Sequence, residues 1–156
     1  MEIFQTFAEI SIGILGFTAI VIVFRPYHQK WNDSMYQGMI GHSIQVLFYS
    51  LLPFVLDAYH CNLSTIWMIG SITLGVITFL QGCAVLAMDK NAKLRIRILM
   101  FLFSTGIGVL QVENILASNH EQGPYLIGIC WHIFQSLFIF SMIVGRKLEN
   151  DSFPKN

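Results

Sequence analysis

The sequence predicts an all-α integral membrane bundle of five transmembrane helices, with the N-terminus outside and the C-terminus in the cytoplasm. Three observations carry this reading. The 156 residues are 54% hydrophobic and only 12% charged, against about 25% charged in a typical soluble domain. A chain this small cannot hide so much apolar surface in water. The apolar residues come in five runs separated by short polar segments. All nine Lys and Arg residues fall in alternate polar segments, the asymmetry that the positive-inside rule produces.

A helix needs about 20 apolar residues to cross a hydrocarbon core of roughly 30 Å. Span 1 covers residues 3–24 and stops at Arg25-Pro26. Span 2 covers 39–56 and ends at Asp57. Span 3 covers 63–88, long enough to tilt, and ends at Asp89-Lys90. Span 4 covers 96–118. Span 5 covers 125–145 and starts after Gly123-Pro124. Arg25 and Lys30 follow span 1, Lys90, Lys93, Arg95 and Arg97 lead into span 4, and Arg146, Lys147 and Lys155 follow span 5. The N-terminus, residues 57–62 and residues 119–124 carry no basic residue. Tyr27, Trp31 and Tyr36 on one side, and Tyr59, Trp67 and Tyr125 on the other, suit interfacial anchors. Residues 1–149 are expected to form one transmembrane domain, followed by a polar cytoplasmic tail over 150–156.

Formal net charge is zero, so nothing points to a nucleic-acid partner. The first span lacks the basic flank and small-residue cleavage site of a signal peptide. Cys61, Cys83 and Cys130 show no paired spacing and read as small apolar fillers.

At 100° per residue each span sorts into faces. Span 1 aligns Gln5, Glu9, Gly13 and Gly16. Span 2 aligns Gly38, His42, Gln45, Tyr49 and Pro53. Span 3 aligns Ser64, Ser71, Gly75, Thr78 and Gly82. Span 5 aligns Gly128, His132 and Gln135. Span 4 has two such faces, one with Ser104, Gly108, Gln111 and Ser118, the other with Gly106, Val109, Glu113 and Ala117. Lipid cannot hydrogen-bond these groups, so the stripes are expected to face protein or water. Gly13, Gly16, Gly75, Gly106 and Gly108 are expected to let helices approach closely. Two readings stay open: polar packing contacts within a tight bundle, or a polar pore, which five close helices would form between protomers rather than inside one.

Intramembrane ionisable groups are functional candidates by default. The inferred topology places Glu9 roughly 9 Å, Glu113 about 8 Å and His132 about 10 Å from the outer ends of their spans, at 1.5 Å per residue. Glu9, Glu113 and His132, with Gln111 and Asn114 nearby, are therefore candidates for a proton- or ion-binding layer in the outer leaflet. His42, Gln45 and Gln135 are polar-stripe candidates. By the same arithmetic His42 lies near the cytoplasmic end of span 2, at a different depth from His132, and the two do not form a same-layer pair. No metal site is expected, since no H-x-x-x-H, H-E-x-x-H or Cys/His cluster occurs. No nucleophile elbow, P-loop or dinucleotide fingerprint occurs either. The chain is expected not to be an enzyme and to need no cofactor.

Span 2 reads His42-Ser-Ile-Gln45-Val-Leu-Phe48 and span 5 reads His132-Ile-Phe-Gln135-Ser-Leu-Phe138. Both fit H-x-x-Q-x-L-F. A degenerate inverted repeat of spans 1–2 against 4–5 would place the motif in oppositely directed helices, as in transporters. The unequal Glu-to-His separations in the two halves weigh against it.

The segment Phe7-Ala-Glu9-Ile-Ser-Ile-Gly-Ile-Leu-Gly16-Phe17, continuing to Phe24-Arg25, resembles the first span of small multipass bacterial inner-membrane proteins that open on Ala-Glu-Ile/Val followed by Gly-Phe. The resemblance implies a bacterial inner membrane and adds weight to Glu9. It implies no substrate. The functional expectation is a homo-oligomeric pore or transport-type protein, with membrane lipids and further copies as its partners. The alternative is a non-catalytic accessory subunit that docks a membrane partner.

Overall fold

The computed structural model describes residues 2–23, 33–88, 94–117 and 120–151. These hold five helices: α1 Glu2–Val23, α2 Asp33–Ala58, α3 Leu63–Met88, α4 Leu94–Leu116 and α5 Gln122–Asp151. Each is long and apolar enough to cross a membrane. Arg25, Lys30, Lys90, Lys93 and Lys155 lie outside the described residues, as do Tyr27, Trp31, Ser118 and most of the expected tail.

Two helices outrun their apolar stretches. α2 begins at Asp33, before the first apolar residue of its span, and α5 continues through Arg146 and Lys147 to Asp151. Hydropathy marks where side chains turn polar. A helix stops only where its backbone hydrogen bonds stop, and polar residues do not end it.

The helix ends follow capping rules. At the end of α2, Cys61 N–H donates to Leu56 O at 3.1 Å and His60 N–H to Asp57 O at 2.8 Å. This is a Schellman closure with His60 in the left-handed position, at φ 59°. Asn62 then caps α3, its Oδ1 accepting from Thr65 N–H at 2.8 Å. Arg97 reaches back from the first turn of α4 and donates to Val85 O and Leu86 O near the end of α3. Its guanidinium thus satisfies carbonyls that the helix leaves open.

The helices form two compact units, residues 1–51 with 132–156, and residues 52–131. In the first, Tyr36, Met39 and Ile143 form a buried cluster packed by Ile14, Val21 and Ile22 of α1 and by Ile139 and Phe140 of α5. Phe17 meets Phe140 edge-on at 5.3 Å. The buried face of α1 is Phe4, Ala8, Ser11 and Thr18, spaced as one helical stripe. Ser11 and Thr18 return their hydroxyls to Ala8 O and Ile14 O, so this face presents no unpaired donor to its neighbours.

In the second unit α3 packs on α4 at glycines. A Cβ at Gly75 would sit 3.0 Å from Gln111 Cβ, and one at Gly82 would sit 2.9 Å from Ser104 Cβ. Tyr125, on the first turns of α5, is fully buried and lies 5.9 Å from Trp67, ring to ring. The three cysteines are free.

Candidate functional site

The strongest polar constellation lies in the first unit, where the two H-x-x-Q segments meet. α2 and α5 run antiparallel there: Gly38 faces Ile139, Ser43 faces Ser136, and His42 faces His132. The Nδ1 atoms of His42 and His132 are 3.2 Å apart. The ring centroids are 5.5 Å apart, and the planes are inclined by 31°. His42 is 8% exposed and His132 is fully buried. Tyr49, two turns beyond His42, stacks over His132 at 6.5 Å and 14°.

Hydroxyls and amides complete the seam. Ser43 Oγ and Ser136 Oγ are 3.1 Å apart, and both lie within hydrogen-bond distance of Met39 O, at 2.9 and 3.2 Å, so that their two hydroxyl hydrogens are shared among three contacts. Gln45 hydrogen-bonds His42. Gln135 lies beside His132, and its buried Oε1 has no hydrogen-bond partner among the described residues. The two copies of the motif offer the same ring nitrogen to each other, as a local two-fold relation between antiparallel helices requires.

This overturns the expectation that His42 and His132 lie at different depths. The depth arithmetic started each span at its first apolar residue and set all spans against common planes. α2 in fact begins roughly two and a half turns before His42 at 3.6 residues per turn. How far one helix slides along its neighbour is set by side-chain packing, which hydropathy does not record.

The chemistry of the pair is proton chemistry. A nitrogen–nitrogen distance of 3.2 Å is that of a long hydrogen bond. In the neutral pair one Nδ1 carries a hydrogen and the other offers its lone pair. A first added proton leaves that bond intact and charged. A second would set N–H against N–H, so the pair in contact holds one extra proton and no more. Two imidazoles are also the whole ligand set: no group of three or more His, Cys, Asp or Glu that could hold a metal occurs among the described residues.

The other sequence candidates take different places. Glu9 is exposed and accepts a hydrogen bond from Gln5 at 3.1 Å. Gly13 and Gly16 are exposed, with open space where a Cβ would stand. Within the first unit Glu9 and His132 therefore share no site. The packing face of α1 is the Phe4–Thr18 stripe, and the face bearing Glu9 points away from it. Glu113 and Gly106 are exposed on α4, while Gly108 is buried.

Gln111 and Asn114 are buried, and both side chains hydrogen-bond the turn into α5. Asn114 Nδ2 donates to Ser71 Oγ at 2.8 Å and to Glu121 O at 3.0 Å, and its Oδ1 accepts from Glu121 N–H at 2.8 Å. Asn114 O lies 2.6 Å from His120 Nδ1. Gln111 Nε2 donates to Pro124 O at 2.6 Å. Both residues clamp the start of α5 against α3 and α4.

No protein-family model, no curated protein and no solved structure matches this chain. The site is therefore read from its own geometry. Sequence reasoning missed the Ser43–Ser136 bridge and the direct histidine contact. The shared H-x-x-Q-x-L-F spacing was the available signal, since two copies of one motif on antiparallel helices can meet about a common point.

Proposed function

We propose that this is a small multi-pass membrane protein of transport type, whose working element is the His42–His132 pair as a proton-binding site. The observation that carries this reading is the 3.2 Å Nδ1–Nδ1 contact inside two helices long and apolar enough to span a bilayer. Ionisable groups at such positions are costly and serve ion pathways. Taking up one proton keeps α2 and α5 joined, and taking up a second drives them apart. Proton occupancy is thereby coupled to helix separation. The proposed orientation is N-terminus outside and C-terminus in the cytoplasm of a bacterial inner membrane.

The chain works in this reading as a homo-oligomer. The exposed Gly13 and Gly16 of α1 support close approach by a helix from outside the chain. That same feature also suits the accessory-subunit reading, in which the outside helix belongs to a different protein.

The test is proton flux into liposomes containing the purified chain, followed with an internal pH dye. Flux above that of empty liposomes is expected, with loss in His42→Gln and in His132→Gln. No flux in the parent chain, or full flux in both variants, would falsify the reading. Size measurement in detergent separates the two assemblies: several copies support the homo-oligomer, and a monomer supports the accessory subunit.

A further inference from the structure

The second unit holds a groove of about 490 Å³ along α3 and α4, lined from residues 72–80 of α3 and 105–115 of α4. At 1.5 Å per residue those stretches are about 12–15 Å long. A volume of about 490 Å³ over that length gives a cross-section of roughly 30–40 Å², or about 6 Å across.

The lining is hydrocarbon. Val76 and Phe79 of α3 and Val109 of α4 form its walls, each about half exposed. Thr105 Oγ1 and Gln111 Oε1 belong to lining residues but are buried and present no surface to an occupant. Glu113 stands near one end and is exposed. Gly108 also lines the groove, buried but with nothing within 4 Å of where its Cβ would stand. A side chain at Gly108 would fill the space.

Two occupants suit apolar walls, a helix of a second copy and a lipid chain. The width decides between them. An α-helix with its side chains is about 10–12 Å wide and cannot enter a slot about 6 Å across. A single methylene chain can, since its carbons sit only about 3.5–4.0 Å from their neighbours. The length agrees. The groove runs from the middle of α4 to its C-terminal end, about half of a hydrocarbon core of roughly 30 Å. That is the reach of a chain from one leaflet.

We propose that this groove holds one acyl chain of a bilayer phospholipid. The inference rests on the multi-pass membrane reading and not on the histidine pair.

The test is photolabelling of the full chain in vesicles of phosphatidylcholine doped with the same lipid bearing a diazirine in mid-chain. Labelled residues are located by mass spectrometry. Label at Val76 and Val109 should saturate as the doped fraction rises, while label at Phe48, an exposed residue of α2, should rise in proportion. Gly108→Leu should cut label at Val76 and Val109 by about tenfold or more. Gly106→Leu, at an exposed glycine outside the groove, should leave it unchanged. Label at Phe48 shows that the chain lies in the bilayer, so its presence without saturation at Val109 would overturn this proposal alone. Saturation that free oleate competes away, and unlabelled phosphatidylcholine does not, would make the occupant a free fatty acid and overturn it too. The saturation is read on the parent chain, so it decides the matter even where Gly108→Leu fails to fold.

Discussion

Asn114 shows how a polar residue in a long apolar helix can be structural. Its side chain makes three hydrogen bonds, one to Ser71 Oγ and two to the backbone of Glu121. Asn114→Ala removes all three and leaves Ser71 Oγ and the turn backbone without these partners. Orphaned buried groups cost about 1–3 kcal/mol each. A drop in stability of about 1–3 kcal/mol is expected, read as a lowered thermal midpoint by circular dichroism in detergent. Asn114→Asp keeps the acceptor and should fall between. The sequence flagged Asn114 and Gln111 as polar groups in an apolar helix, but residue type does not say whether a polar group is idle or committed. His132 and Glu9 make the same point: both are ionisable, one is fully buried and the other exposed.

At the scale of single elements, helix ends are set by local capping and faces by packing. Asn62, just before an apolar run, caps α3. The end of α2 carries a local conflict, since His60 occupies a left-handed position that costs a side-chain-bearing residue about 1–2 kcal/mol. His60→Gly should therefore stabilise the α2–α3 turn by about 0.5–1 kcal/mol. Thermal unfolding in detergent checks the sign, and a destabilised variant would show that the His60 side chain does more than fill the turn. Faces are harder to read from the sequence. In α1 the aligned stripe Gln5, Glu9, Gly13 and Gly16 is the one expected to face protein or water, and within the chain the buried set is instead Phe4, Ala8, Ser11 and Thr18. In a helix that is apolar on nearly every side, several faces pack equally well, and the periodicity argument loses its force.

At the scale of the whole molecule, the proposed membrane topology has a definite direction. The basic residues predict that the α2–α3 turn lies outside. Cys61, partly exposed in that turn, should then react with a membrane-impermeant maleimide added to right-side-out membranes. Cys61→Ser should lose that label. Labelling of Cys61 only in inside-out vesicles would reverse the orientation, and with it the depths assigned to every span.

The sequence alone determined the number of helices and their approximate extents, because hydrocarbon thickness and backbone hydrogen bonding leave an apolar chain few other options. It also held the histidine site in latent form, as two copies of H-x-x-Q-x-L-F. Only the tertiary structure decided that these copies face each other, that Gln111 and Asn114 are committed to a turn, and that Glu113 borders a groove. Each of these depends on the rotation and sliding of one helix against another. Those are fixed by the fit of many small contacts between residues far apart in the chain, which composition and periodicity do not encode.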